Sequence, residues 1–288
     1  MKKRIRRADR YRKKVKVRRV FRHISAVMMA NIIVAAVVSI PMIVYGPLEN
    51  LKEYYITTAM TTMNHKYLAT MLFSQEEIEE VLGKNKIEDY KNSSLESIQV
   101  SSSKDKGESY DGIELTDISN DKYKGYILTI KDPKRITLGV PDTLGKTGKK
   151  LEDIIKQEGA VAGINAGGFQ DDNGHGNGGK PLGVIIHNGK VLYGNENEKY
   201  ELVGFNEEGV LILGEYTLEE MRGLGIKEAI TFFPFLIVNG QPTIKTGNGG
   251  WGIAPRTAIG QKRDGTVVML VIDGRQITSI GATLKEVQ

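Results

Sequence analysis

The sequence contains no cysteine. That excludes disulfides, thiol catalysis and cysteine-ligated zinc. It suits an exported bacterial protein that does without disulfides, although many cytosolic proteins lack cysteine too. Tryptophan occurs once, as Trp251. No glycine-rich stretch ends in the Gly-Lys-Ser/Thr of a phosphate loop, and none has the dinucleotide fingerprint within a βαβ unit. Neither of those nucleotide sites is encoded here. Charge is missing from Ile24 to Tyr45, a run of 22 residues in which only Ser25, Asn31 and Ser39 are polar.

What is present begins with charge. Of 40 Lys and Arg, 13 fall in residues 1–23, beside a single acid, Asp9. Residues 24–288 hold 27 basic and 34 acidic side chains, a net of −7, so the overall +5 belongs to the first 23 residues. A mildly acidic remainder argues against a nucleic-acid partner. As a helix the uncharged run spans the roughly 30 Å hydrocarbon core, and Pro41 lies near its outer end, where a break is tolerated. The basic flank predicts a cytoplasmic N-terminus and an extracytoplasmic main domain. The rival is a cleaved signal peptide, whose apolar core is shorter, about 7–15 residues, and ends in an Ala-x-Ala-type site that is absent here. The expectation is a single-pass cell-membrane protein.

Beyond the anchor, residues 46–91 read as a helical stalk. Apolar residues from Tyr54 through Met60, Met63, Tyr67, Met71, Ile78 and Val81 recur at spacings of three and four. Such a Met and Tyr stripe packs on a neighbour, joins a second subunit into a homo-oligomer, or takes an apolar ligand. Ser74 with Glu76 and Glu77 marks a helix start, and Gly83 with Asn85 a stop. His65 stands alone and reads as structural. Residues 92–112, polar and Ser-rich, read as a linker. The main domain is then 113–288. Of 33 glycines, 28 lie in 139–288, many in turn pairs between β-rich runs: Asn188-Gly189, Glu208-Gly209, Asn239-Gly240 and Asp264-Gly265. These pairs supply the positive φ of tight hairpins. Helices are expected over Lys149–Glu158 and Thr217–Leu224. The fold class is α+β, a largely antiparallel sheet domain with flanking helices.

Three glycine-rich stretches carry the candidate chemistry. Gly163 to Phe169 contains Asn165, Gly167 and Gly168, small residues that let backbone N–H groups approach a ligand. Asp171 to Gly179 contains Asp171, Asp172, Asn173 and His175. Its oxygens suit a divalent cation such as calcium, though without the EF-hand spacing, and the alternative is a solvated turn. Gly247 to Gly252 contains Trp251, which stacks on a sugar or packs under its loop. By composition alone, each stretch is better explained by a surface turn than by a site.

Their order resembles the phosphodiester glycosidase family. The resemblance runs from about Gly125 to Gln288 and lies in an ordered set: Gly163-Ile164-Asn165-Ala166-Gly167-Gly168-Phe169, then Pro181-Leu182-Gly183-Val184 with an Asn-Gly hairpin. Arg256-Thr257-Ala258-Ile259-Gly260, Asp273-Gly274-Arg275 and Gly281-Ala282-Thr283-Leu284 complete it. Anchor and stalk resemble Gram-positive members associated with exopolysaccharide synthesis and the cell envelope. The resemblance implies a hydrolase of sugar-1-phosphodiesters and a glycan or sugar-phosphate substrate. The family's Asn-Leu-Asp-Gly-Gly-Ser stretch does not occur, and Thr283 with Glu286 announces a helix only five residues from Gln288. The expectation is a C-terminally incomplete domain.

Such chemistry needs an anion clamp and a carboxylate. A phosphomonoester, with a second pKa of about 6, leaves without strong protonation. An oxocarbenium-like state still needs a carboxylate beside the anomeric carbon, and a planar guanidinium suits the phosphate. Arg256 is the candidate clamp, or else a structural arginine. Asp273, at the end of the apolar run Val267–Ile272, is the candidate carboxylate, or else a turn residue. Asn165 is the third catalytic candidate. Arg275, Trp251, Gly167, Gly168 and His175 are candidates for substrate binding. The alternative function is a non-catalytic glycan-binding module.

Overall fold

A computed structural model describes residues 2–62, 64–100, 112–171 and 175–288. Its helices follow their local signals. α1 runs from Lys2 to Tyr45, α2 from Glu49 to Met60, α3 from Tyr67 to Thr70 and α4 from Gln75 to Lys84. Ser74 caps α4 in a reciprocal box with Glu77, and Asn85 closes it. α5 (Leu151–Gln157) and α6 (Leu218–Gly223, capped by Thr217 and Glu220) fall where the sequence places them. α7 (Leu284–Val287) starts at the Thr283–Glu286 box.

Within α1, Phe21–Tyr45 is long and apolar enough to cross a membrane, with mean hydropathy 2.5 and none of it buried. A signal sequence has the same properties, so the helix by itself fixes neither anchor nor orientation. The chain divides into two compact units, Met1–Glu53 and Tyr54–Gln288.

The second unit holds two antiparallel sheets. The first comprises β1 (Ile113–Asp117), β2 (Gly125–Ile130), β10 (Arg256–Gln261) and β11 (Val267–Ile272), in the order β1-β2-β11-β10. The second comprises β3 (Ile185–His187), β4 (Lys190–Tyr193), β5 (Lys199–Asn206), β6 (Leu211–Thr217) and β7 (Ile226–Thr231), in the order β4-β3-β7-β5-β6. A small ribbon joins β8 (Ile237–Val238) to β9 (Gln241–Pro242). Asn188 and Gly189, at φ 51° and 73°, turn β3 into β4, and Asn239 and Gly240 repeat the geometry between β8 and β9. The α+β class, with a largely antiparallel sheet, is what the structure shows.

Strand alternation makes two cores. On β5 and β6, Val203, Phe205, Leu211 and Leu213 join Leu128 and Ile130 of β2 and Val267 and Met269 of β11 in one cluster. The intervening Leu202 and Ile212 point the other way, into a cluster with Val184, Ile186, Leu218 and Met221. Each sheet residue therefore has its burial set by its parity in the strand.

The segment 46–91 is helical, as expected, and contains α2, α3 and α4. From Tyr54 its helices belong to the same unit as the sheets. Ile56, Ala69, Ile78 and Val81 are buried, whereas Tyr67 and Met71 stay exposed. Ile56, Ile78 and Val81 of the apolar stripe are thus covered by this chain's own domain, and Met63 lies outside the described residues. Residues 92–100, at the start of the segment read as a linker, bond to the domain. Ser93 N–H donates to Leu213 O at 2.7 Å, Gln99 N–H donates to Arg263 O at 2.8 Å, and Ile98 and Val100 pack on the cores. The polar composition hides two apolar residues and two backbone bonds, one to β6 and one to the turn between β10 and β11. Residues 101–111 lie outside the described residues.

Candidate active site

Arg256 opens β10, in register with Ile272, the last residue of β11. Asp273 and Arg275 follow directly, so the antiparallel pairing brings all three to one end of the first sheet. Gly274 lies against Pro255, whose N is 2.6 Å from where a Cβ would be.

The Arg256 guanidinium is half-buried and braced by backbone. Its Nε donates to Ala282 O at 3.0 Å, and Nη2 donates to Trp251 O at 3.0 Å and Gly252 O at 2.7 Å. Among the described residues no acid pairs with it and Nη1 has no protein partner. Burial, and then the like charge of Arg275, depress its pKa. The geometry is a half-buried cation beside a second, exposed one at φ 59°, which favours an anion between them.

Asp273 is exposed. Its Oδ1 accepts from Gly274 N–H at 2.8 Å, and both oxygens accept from Gln276 Nε2, at 3.2 and 3.0 Å. Its backbone carbonyl accepts from the Ser279 hydroxyl at 3.0 Å, closing the 273–279 turn. Both the turn role and a solvent-facing carboxylate are thus visible in one residue.

Trp251 is 39% exposed and meets Phe233 edge to face, with centroids 6.1 Å apart. Phe233 lies two residues after Thr231, whose hydroxyl accepts from Val184 N–H at 2.9 Å. Gly183, at φ 77°, leaves no space for a side chain there: a Cβ would be 2.0 Å from Thr231 Oγ1. Leu182 N–H donates to Gly168 O at 2.9 Å. The Asn165–Gly168 stretch therefore joins the same rim by way of Leu182 and Thr231. Gly167 lies over Ile230, and Asn165 is exposed with no side-chain bond among the described residues. Phe169, Leu182, Phe232 and Phe233 are all more than two-fifths exposed along this rim. Phe233 escaped sequence reading, although an apolar pair before Pro234 is a usable signal.

The second glycine-rich stretch goes elsewhere. Phe169 bridges Pro181, and Asn177 and Gly179 are knitted to the 143–148 loop. Gly145 N–H donates to Gly179 O, and Asn177 Nδ2 donates to Lys146 O. Asp171 Oδ1 accepts from Gly176 N–H at 2.7 Å. His175 is exposed, and Asp172 lies outside the described residues. Among the described residues, no three His, Asp or Glu side chains are placed to hold a metal ion.

The third stretch is held by helices. Asn248 and Asn85 are both buried and bonded to each other, and Thr57 and Thr58 of α2 reach the same loop. In the sequence Asn85 signals only a helix stop, and nothing marks either threonine.

No curated protein matches the chain. Among solved structures, the catalytic domain of zebrafish N-acetylglucosamine-1-phosphodiester alpha-N-acetylglucosaminidase, auto-inhibited by its pro-peptide, aligns with TM-score 0.48 and 21% identity. The alignment covers 66% of this chain and 69% of that one. The family model described as phosphodiester glycosidase matches from Glu158 to the last residue, Gln288, and so contains Asn165, Trp251, Arg256, Asp273 and Arg275. Over residues 158–288 the chain is thus similar to the phosphodiester glycosidase family.

Proposed function

We propose that the protein hydrolyses sugar-1-phosphodiesters of cell-surface glycans or exopolysaccharide, held by its N-terminal helix at the outer face of the cell membrane. The observation that carries the activity is Arg256: a braced, half-buried guanidinium with a second arginine beside it, inside the family-matched segment. In this reading Arg256 and Arg275 hold the phosphodiester, Trp251 receives an apolar sugar face, and Asn165 orients sugar hydroxyls with Gly167 and Gly168 close by. Asp273 supplies the carboxylate. Water adds at the anomeric carbon, the C1–O bond breaks with its electron pair passing to the phosphomonoester oxygen, and the proton of water leaves to a base. The membrane placement is supported by 13 basic residues before the uncharged run.

One observation favours a second reading, a glycan-binding module without turnover. Both carboxylate oxygens of Asp273 are already engaged by Gln276. A single assay separates the two. Full-length protein in detergent is incubated with the methyl ester of N-acetylglucosamine 1-phosphate or an isolated surface polymer. Release of reducing sugar with a phosphomonoester is the expected result. Saturable binding without release would establish the module instead.

A further inference from the structure

We infer that α2 and α4 belong to the active-site apparatus: Asn85, Thr57 and Thr58 are positioning residues that fix the Gly247–Gly252 loop, and through it Trp251 and Arg256. The inference rests on Arg256 being the phosphodiester site. Asn85 is fully buried. Its Oδ1 accepts from Asn248 N–H at 2.7 Å, while its Nδ2 donates to Val81 O at 2.9 Å and so locks the amide. Asn248 in turn donates through Nδ2 to Thr57 Oγ1 at 3.2 Å, and its Oδ1 accepts from Gly250 N–H at 2.9 Å. Past the tryptophan, Ile253 N–H donates to Thr58 Oγ1 at 3.3 Å.

The loop is thus tied to the helices on both sides of Trp251. Gly252 shows how close the approach is, since a Cβ there would lie 2.5 Å from Thr58 Cα. The carbonyls this clamp holds in place are those of Trp251 and Gly252, the two that accept from Arg256 Nη2. A loop displaced by a fraction of an ångström carries the guanidinium with it, and misplacement of a binding group lowers turnover steeply. The partners are 163 and 191 residues apart in sequence, so the helices after Tyr54 complete a site whose family motifs all lie beyond Gly163.

The single tryptophan makes the clamp measurable, because all intrinsic tryptophan emission comes from Trp251. Thr57→Val keeps the shape of the side chain and removes the acceptor for Asn248, whereas Thr57→Ser keeps it. In full-length protein, Thr57→Val is expected to raise acrylamide quenching of Trp251 and to lower kcat/KM about tenfold, while Thr57→Ser matches the parent in both. Asn85→Leu is expected to do the same more strongly; if it fails to fold, the Thr57 pair decides. A folded Thr57→Val protein with parental quenching and parental kinetics would overturn the inference. A lower thermal midpoint with Trp251 and kinetics unmoved would also overturn it, since that is a purely structural role. If the parent releases no sugar, the activity reading fails by itself, and the quenching comparison still decides whether the helices hold the loop.

Discussion

Arg256 is braced by backbone whether or not it also clamps the phosphate, as proposed. Three backbone carbonyls fix its plane, and an ammonium cannot satisfy them in the same arrangement. Arg256→Lys should therefore lower kcat/KM for a sugar phosphodiester by about 100-fold; steady-state kinetics at matched pH checks this, and parental values would remove Arg256 from the site. Gly183 poses a packing question at the other end of the rim. Gly183→Ala combines positive φ with a collision against the strand residue Thr231 and should cost about 2–3 kcal/mol. Gly189→Ala, at a similar φ of 73° with open space around it, should cost only about 1 kcal/mol. Urea denaturation of the two variants measures the difference. The chemical types of these residues were readable from the chain, since a guanidinium suits a phosphate wherever it occurs. The carbonyls that brace Arg256 were not, because backbone acceptors leave no mark in a sequence.

At the scale of elements, whatever is governed by neighbours was legible. Asn-Gly pairs produced hairpins because two consecutive positive φ values are a local demand. Ser74, Thr217 and Thr283 each begin a helix because side chain and backbone satisfy each other within four residues. The last of these caps is also electrostatic. Burial raises the Glu286 pKa, but Lys122 at 2.8 Å and the Thr283 N–H and hydroxyl outweigh it, so the folded value lies below the ordinary one. A depressed carboxylate stabilises the fold above its unfolded pKa and loses that contribution as pH falls through the folded one. Glu286→Gln should accordingly lower stability by about 1 kcal/mol at neutral pH, with the two proteins converging once the pH is below both values. Thermal melts across pH test this, and a difference that persists in acid would contradict it. What periodicity could not give was the partner of the α2–α4 stripe. It marks a face to be buried, while Asn248, the residue that Asn85 and Thr57 of the same segment bond, lies more than 150 residues away.

For the whole molecule, the division of charge is the feature with the largest consequence: a strongly basic start, an uncharged helix, and an acidic remainder. The absence of cysteine makes the proposed topology directly testable. Asp121→Cys, on an exposed turn, should react with a membrane-impermeant maleimide on intact cells, and Ala8→Cys only after permeabilisation. The reverse pattern would place the domain inside. The domain is an antiparallel α+β assembly in which the first glycine-rich stretch lies against Leu182 and Ile230, while the third is bonded to Asn85 and to Thr57 and Thr58 of α2. The central claim is that the bond broken is the one between sugar and phosphate oxygen. Hydrolysis of a sugar-1-phosphodiester in ¹⁸O-labelled water, followed by ³¹P NMR of the phosphomonoester, tests it most directly. The account predicts a phosphomonoester free of the label, with water's oxygen delivered to the anomeric carbon; label in the phosphate would mean cleavage at phosphorus and would contradict it.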